Sequence, residues 1–553
     1  MVTYFSIKRK IGKFFLNNSS SNIFSIPFYK NHFFIITIYS LFISLLGVWD
    51  SSSQSLIAHD ESLYSVRAKT INETNDWFVP FSEPHHKTIG SYWLIALCIR
   101  SLGLNEYSVR LPSSIFSLLC SLIIYLIVSD LLDRNKALYS SLFLSSMPLW
   151  IQYSRYASPD IPYIFFLLLS IYFLNKTLFI TDKSKLINFL LIFSGFSLTI
   201  CFTLRSLMIL LPIISLSPYY YYVLKKYSNK GYYYFIFGLF IGFLLNIFPI
   251  YLAYLKFGNS AITTLFSFAS RKAIGSSNFN GFSFYPLKVL LMGFPVSLLS
   301  IFGFYKFIKS KNLVSILFFI ICPLLMLVFL SLMSSSYAHY SLPVYPFLAV
   351  LSSQGFIYLK DNYHRIRNIS KYFIVFYVLI LCILLTSVFA LASGIIEFNV
   401  ITHNIIFKSI IIYTFIIFIL VIYSSFNHFR LQNSKLIPFR LLCLFQTILL
   451  TSLYSTGFMG NPNSALKGYV RQNSNIFSSE NKIMLIDLDS KKRNLFKFYL
   501  PKSMVVKELI SPIFNEYFVL INSSKLDKLK SDSKLRFKYI NKFQDISLIK
   551  ILN

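Results

Sequence analysis

Charge is scarce in this chain of 553 residues: Asp, Glu, Lys and Arg together make up 13%, against 55% hydrophobic and 18% aromatic side chains. Mean hydropathy is +0.61. Soluble domains carry about a quarter charged residues, so the deficit excludes a cytosolic enzyme. Acids are scarcer still, 21 against 52 Lys and Arg, for a formal charge of +31. In a soluble protein that balance suggests nucleic acid; here the basic residues punctuate apolar runs and read as topology signals at a membrane surface, so a nucleic-acid partner is excluded. Cysteine is sparse too, six residues with no CxxC spacing, which supports neither a disulfide framework nor a zinc site. No A-x-A cleavage site follows the first apolar run, which starts some thirty residues in and reads as a signal anchor.

What the chain has in abundance is apolar runs of spanning length, roughly 20 residues each. Spans are expected near 32–49, 112–129, 137–152, 160–175, 186–204, 207–224, 233–255, 287–305, 313–332, 341–359, 372–394, 405–424 and 439–458, about thirteen in all. The weakest are 137–152 and 207–224, which are short or broken by proline. Charge gives an independent check, because alternate loops are basic: Lys8 to Lys13 at the start, then Arg134/Lys136, Lys176/Lys185, Lys225/Lys226, Lys306/Lys309, Lys360/Arg365 and Arg430/Lys435. These are expected in the cytoplasm. The intervening loops, and residues 459–553, then lie outside. The reading is an α-helical polytopic membrane protein with a cytoplasmic segment 1–31, a membrane domain 32–458 and an outer α/β domain 459–553.

Three outer regions stand apart. Residues 50–110 carry more acids than bases and end in an amphipathic segment suited to the interface. Residues 256–286, rich in Gly, Ser and Asn, read as a mobile outer loop. In the C-terminal domain KIMLIDLD, LFKFYL, EYFVLIN and FKYI read as strands and SKLDKLK as a helix or turn. That domain is expected to turn a basic face toward the membrane or a phosphate-bearing partner.

The spans are nearly free of ionisable residues, which argues against an ion pathway or a transporter. Polar chemistry gathers at their outer ends instead: His59, Asp60 and Glu61, then Glu83, His85, His86 and Lys87, then Arg155, Asp160, Arg205 and, in the outer loop, Arg271. A carboxylate among cations at a lipid-accessible face suits group transfer from a lipid-linked phosphate. Asp60 is placed to orient or deprotonate an acceptor hydroxyl, while Lys87 and the arginines stabilise the departing phosphate. The plainer alternatives are a helix cap for Asp160 and lipid-headgroup contacts for the arginines. His59, Asp60, His85 and His86 are suitable ligands for a divalent metal, although their spacing matches no metal motif. His339 reads as a structural histidine.

The stretches HDESLYSVRAKTINETNDWFVPF and HHKTIGSYWLIALCIRSLGLNEYSVRLPS, with SRYASPDIPYIFF and YAHYSLPVYPFLAVL further on, resemble the polyprenyl-phosphate-dependent glycosyltransferases of the C-type membrane fold. Within that group they are most similar to bacterial aminoarabinose lipid A transferases and the protein mannosyltransferase-like superfamily. The resemblance implies inverting transfer of a sugar from a polyprenyl phosphate to a lipid or glycan acceptor at the outer face of the inner membrane. Asp60 and Glu61 match its first-loop acidic pair and Asp160 its second acidic site. Lys87 matches the lysine that meets the donor phosphate, and His86 stands beside it as a metal candidate. Two departures stand out. Leu63 precedes Tyr64 where the family often has Arg-Tyr, and His86, Lys87 and Thr88 replace a Glu-Lys-Pro run.

Overall fold

The structure, a computed structural model, describes residues 31–58, 60–180, 184–273, 280–310, 312–362, 379, 437–457, 459–478, 480–501, 504–506, 517–526 and 537–552. The expected spans at 372–394 and 405–424 lie outside these residues.

Side-chain caps open the first helices. Asn31 accepts from the Phe33 amide at 3.1 Å to begin α1, His32–Val48. Two short helices follow, α2 (Asp60–Thr74) and α3 (Gly90–Leu102). Asn105 and Ser108 cap each other reciprocally at the start of α4, Glu106–Leu131. Asp133 caps α5 (Arg134–Ser146) through the Lys136 amide at 2.9 Å, and α5 runs into α6 (Pro148–Tyr153). Then come α7 (Asp160–Lys176), α8 (Ser184–Arg205), α9 (Leu210–Lys225), α10 (Ser228–Phe257) and α11 (Asn259–Ala273). They are followed by α12 (Phe284–Met292), α13 (Val296–Ser310), α14 (Leu313–Leu332), α15 (Tyr345–Asp361) and α16 (Ile437–Ser455).

By length and composition, seven helices among the described residues can cross a membrane, or eight if the bent pair α12 and α13 forms one span. Two further expectations are decided by contacts. The 41-residue apolar stretch Lys185–Lys225 would be about 60 Å long as one helix, but it folds back on itself. Ser170 on α7 meets both Ser194 of α8 and Tyr220 of α9, at 3.2 and 2.7 Å, so the two halves lie side by side. The reversal falls at Ser206, which adopts the left-handed φ of 54°. Residues 134–155 also traverse the bundle, although α5 and α6 are each short. The Arg134 carbonyl meets His32 at one end and the Arg155 guanidinium meets Gln54 at the other.

Several expectations need correction. The run at 287–305 is not one straight helix: it is bent by 113° between Met292 and Val296, where Pro295 cannot donate to a helical ladder. The Gly, Ser and Asn-rich segment 256–286 is largely helical, because Ala261, Leu265, Phe268 and Ala269 recur at helical spacing and turn inward on α11. The amphipathic segment after residue 90 divides into α3 and the first turns of α4, which begins at Glu106 rather than 112.

The C-terminal region adds α17 (Ser464–Gln472), α18 (Ser490–Tyr499) and a five-stranded sheet of β1 (Ile483–Ile486), β2 (Met504–Val506), β3 (Phe518–Asn522), β4 (Phe537–Phe543) and β5 (Ile546–Ile551). Strand order is β2-β1-β3-β5-β4; β1 runs parallel to β2 and β3, and β5 antiparallel to β3 and β4. LFKFYL, expected as a strand, is the end of α18: Asp489 caps that helix through the Lys491 amide at 3.2 Å, and Leu495, Phe496 and Phe498 pack inward from it. Alternation sends Met484, Val519 and Ile549 to one face of the sheet. The other face, with Leu485, Leu520 and Leu548, joins a core that also contains Tyr64, Ile71, Tyr92 and Ile95 of the outer helices α2 and α3. The sheet and the outer helices α2 and α3 therefore share one hydrophobic core.

Candidate active site

At the end of the bundle opposite the basic loops lies a cavity of about 240 Å³, lined by Asp60, Leu63, Tyr64, His86, Lys87, Arg205, Leu265, Phe268, His339 and Tyr340. Asp60 is the first residue of α2 and Tyr64 follows one turn later on the same face. Lys87 reaches in from the loop before α3. Its Nζ donates to the Tyr64 hydroxyl at 2.7 Å and stands 4.2 Å from the ring centroid. Arg205, at the end of α8, donates to the same hydroxyl at 3.0 Å. Two cations therefore converge on one buried oxygen.

The convergence depends on how the loop seats on α8. Thr88 donates from its hydroxyl to the Thr203 carbonyl at 2.8 Å and from its amide to Ser206 Oγ at 2.7 Å. Gly90 makes the approach possible: a Cβ there would stand 2.3 Å from Thr203 Cγ2 and 2.8 Å from its carbonyl oxygen. Gly90→Val is accordingly expected to insert normally yet lose at least about tenfold in turnover, because the loop must lift and carry Lys87 with it. Turnover of purified protein, normalised to folded material, checks this.

Electrostatics separate the site residues. Burial lowers the Lys87 ammonium to about 8, Asp60 opposing the shift and Arg205 adding to it. His85 is pushed well below its ordinary value, first by burial and then by Arg67 and His86, and its ring stacks on that of His86 at 4.6 Å. His86 in turn packs on Phe268 of α11 at 4.4 Å, so that α11 roofs the cavity.

Asp160 enters as the first residue of α7, but not as a cap, since no side chain caps that helix. Its Oδ1 accepts from Arg205 Nη2 at 2.8 Å, which fixes the guanidinium toward Tyr64. Asp160, Arg205, His339 and Tyr340 line a recess at the back of the cavity. His339, expected to be structural, lies against the Tyr153 ring at 5.4 Å and also faces the cavity.

The other expected residues are held elsewhere. Glu61, one residue from Asp60 and so about 100° around the helix, points into the protein and receives Arg110 Nε at 2.8 Å and Nη2 at 3.0 Å. It also accepts from the Ile57 and Ala157 amides. Burial would raise its carboxyl, but Arg110 and these amides hold it below the usual range. Arg155 is buried and donates to Gln54 at 2.6 Å and to the Tyr454 carbonyl, so it does not line the cavity. Arg271 is exposed at the end of α11, outside the cavity lining. His59 lies outside the described residues. Among the described residues no group of three His, Cys, Asp or Glu side chains stands together to hold a metal ion, at His86 or elsewhere.

Sequence reasoning missed Tyr64 as the oxygen that gathers the two cations, and missed the roof of α11. Tyr64 carried a usable signal, its four-residue spacing from Asp60. The roof carried one as well, in the spacing of Ala261, Leu265 and Phe268.

Residues 86–254, which run from the loop beside Lys87 through Asp160 and Arg205, match the family described as dolichyl-phosphate-mannose-protein mannosyltransferase. Two uncharacterized proteins of Aquifex aeolicus are similar. One is 24% identical over 60% of this chain, which spans 65% of that relative's length; the other is 30% identical over 60% of this chain and 74% of its own. In fold, the chain is similar to ArnT from Cupriavidus metallidurans in the apo state, with a TM-score of 0.72 at 13% identity, covering 93% of this chain and 97% of that one. The same protein bound to undecaprenyl phosphate gives 0.71 at 14% identity with the same coverage. The Archaeoglobus fulgidus oligosaccharyltransferase gives 0.52 at 12%, covering 89% of this chain and 69% of its own. The chain belongs to the C-type family of polyprenyl-phosphate-dependent membrane glycosyltransferases.

Proposed function

We propose that the chain transfers a hexose or pentose, with inversion, from a polyprenyl phosphate to a hydroxyl of a lipid or glycan acceptor. The observation that carries this reading is the pair of cations, Lys87 and Arg205, meeting on one oxygen inside a cavity that also holds Asp60. Tyr64 stands where a donor phosphate oxygen would be received. An apolar groove lined by Phe78, Trp93, Pro249 and Ile250 opens beside Lys87 and shares Leu265 with the cavity, which suits a prenyl chain. The basic loops lie at the far end of the bundle, which supports a reaction face on the periplasmic side of the inner membrane and an N-terminus in the cytoplasm.

In the step itself, Asp60 takes the acceptor hydroxyl proton as that oxygen attacks the anomeric carbon. The bond from that carbon to the phosphate oxygen breaks on the opposite side, and polyprenyl phosphate leaves with the electron pair. Lys87 and Arg205 stabilise the growing negative charge. Asp160 acts through Arg205 by fixing its direction.

Incubating membranes that carry the chain with radiolabelled polyprenyl-phosphate sugars, then partitioning the label among lipid, glycan and protein, tests the reading. Label is expected in the lipid or glycan fraction. Label in protein would move the acceptor class, and no transfer from any donor by inserted, folded protein would overturn the reading. A second measurement follows from the Lys87 value of about 8. The protonated ammonium is the form that meets phosphate, so above the phosphate's own second ionisation at about 6 affinity for undecaprenyl phosphate is expected to fall as pH rises through about 8. In Lys87→Arg, whose guanidinium stays charged, the fall should disappear.

A further inference from the structure

Between the first span and α2 the chain passes through Ser55, Leu56 and Ile57, which belong to no helix or strand although Ser55 and Leu56 are buried. Buried amides and carbonyls need partners, and here side chains supply them. The Ser55 amide donates to Asn461 Oδ1 at 2.8 Å, the Leu56 amide to the Tyr499 hydroxyl at 2.9 Å and the Ile57 amide to Glu61 at 2.8 Å. The Leu56 carbonyl accepts from Asn463 Nδ2 at 2.8 Å, the Ser55 carbonyl from Arg110 at 2.9 Å and the Gln54 carbonyl from Lys467 at 3.1 Å. Asn461, Asn463, Lys467 and Tyr499 all come from the chain beyond α16. The Ser55 hydroxyl closes the contact, donating to Asn461 Oδ1 at 2.7 Å and accepting from the Asn463 amide at 3.0 Å.

Two local features bring the asparagines to this place. Gly457 and Gly460 take φ values of 80° and 87°, which turn the chain after α16; a Cβ at Gly457 would stand 3.1 Å from Gln54 Cγ. Asn463 directly precedes α17, where an asparagine side chain ordinarily caps the helix. It makes no such cap, and its amide group goes to Leu56 instead.

These bonds hold the entry to α2, whose first residue, Asp60, lies five positions beyond Ser55. The apolar core that α2 shares with the sheet attracts without direction, whereas hydrogen bonds to successive backbone groups fix where the chain enters the helix. We propose that Asn461, supported by Asn463 and Tyr499, is a positioning residue for Asp60, holding residues 55–57 so that the carboxylate meets the acceptor hydroxyl. This rests on the transferase reading above. Asn461 does not line the cavity and acts through Asp60.

The test compares full-length wild type, Asn461→Ala and Asn461→Asp in nanodiscs, reading kcat and KM for labelled donor, affinity for undecaprenyl phosphate and the unfolding temperature. Asn461→Ala is expected to lose at least about tenfold in kcat, with donor KM and undecaprenyl phosphate affinity within about twofold of the wild type. Asn461→Asp keeps an acceptor oxygen and should restore most of kcat. Asn461→Ala is then placed in the Asp60→Asn background. A residue acting through Asp60 costs little further turnover there, whereas one that merely supports the fold lowers turnover by the same factor in both backgrounds. Tyr499→Phe keeps its ring in the core and loses the acceptor for the Leu56 amide; it should show the same pattern, and it gives the answer if Asn461→Ala fails to fold. An unchanged kcat, equal losses in the two backgrounds, or donor affinity and unfolding temperature falling in step with kcat overturns the positioning role, and an active wild type then leaves the transferase reading standing. A wild type that transfers sugar from no donor overturns that reading and the positioning role with it.

Discussion

Asp60→Asn is expected to insert and bind undecaprenyl phosphate normally while losing about a thousandfold in sugar transfer, within the range general-base catalysis contributes. Asparagine keeps the shape of the first residue of α2 but cannot accept a proton. The loss should fall on kcat, because the proposed reading gives the phosphate to Lys87 and Arg205, which meet at the Tyr64 hydroxyl, rather than to Asp60. Donor affinity should hold or tighten, since a negative charge beside the phosphate has been removed. Single-turnover assays with labelled donor, alongside direct binding of undecaprenyl phosphate, separate the two effects. A variant that keeps more than about a tenth of wild-type turnover would assign the base to another residue.

The second large effect is on stability. Glu61→Gln should destabilise the outer half of the protein by about 3–5 kcal/mol, because Arg110, itself fully buried, is left as an uncompensated charge. The pair also ties three segments together: Arg110 donates to the Ser55 carbonyl at 2.9 Å, and Glu61 accepts from the amides of Ile57 and Ala157. Asp60 and the approach to Asp160 hang on the same knot, so activity should fall with it. Glu61→Leu/Arg110→Leu, which removes both charges, is expected to recover much of the stability. Thermal unfolding of detergent-solubilised protein reads this directly. The sign of the pH dependence is fixed by the depressed Glu61 carboxyl. Its contribution is complete above the ordinary glutamate value of about 4 and is lost as pH falls through the lower folded-state value. Glu61→Gln should lack that acid-sensitive component.

These two neighbours mark the limit of what the sequence could show. Motif and position brought Asp60, Lys87, Asp160 and Arg205 to one end of the bundle, and the structure joins them in one site. Yet Asp60 and Glu61 looked equivalent as a pair of acids. Only the direction of each side chain on α2 distinguishes a residue facing a cavity from one facing Arg110, and that direction is set by packing across 49 positions of sequence. Arg155 shares this history: from the sequence it stood at a span end like Arg205, but Gln54 and Tyr454 draw it inward. The places of the apolar helices among the described residues were largely legible from hydropathy, whereas the early start of α4 and the bend before Val296 were not. In the C-terminal domain β1 and β3 were legible as short continuous apolar runs and β4 from its alternation. LFKFYL defeated the same reasoning because its aromatic residues suit a strand locally, while the Asp489 cap and the basic run before it continue a helix.

The hydrophobic core shared by α2, α3 and the C-terminal sheet gives the helix that bears Asp60 two owners. One end of α2 carries Asp60 to the membrane cavity, and its flank is the surface on which the C-terminal domain was built. Strain arriving at either is felt at both. A change that shifts α18 against α2 therefore acts on the position of Asp60 without touching it, and a chain cut before residue 459 would lose part of the wall that keeps Asp60 in place.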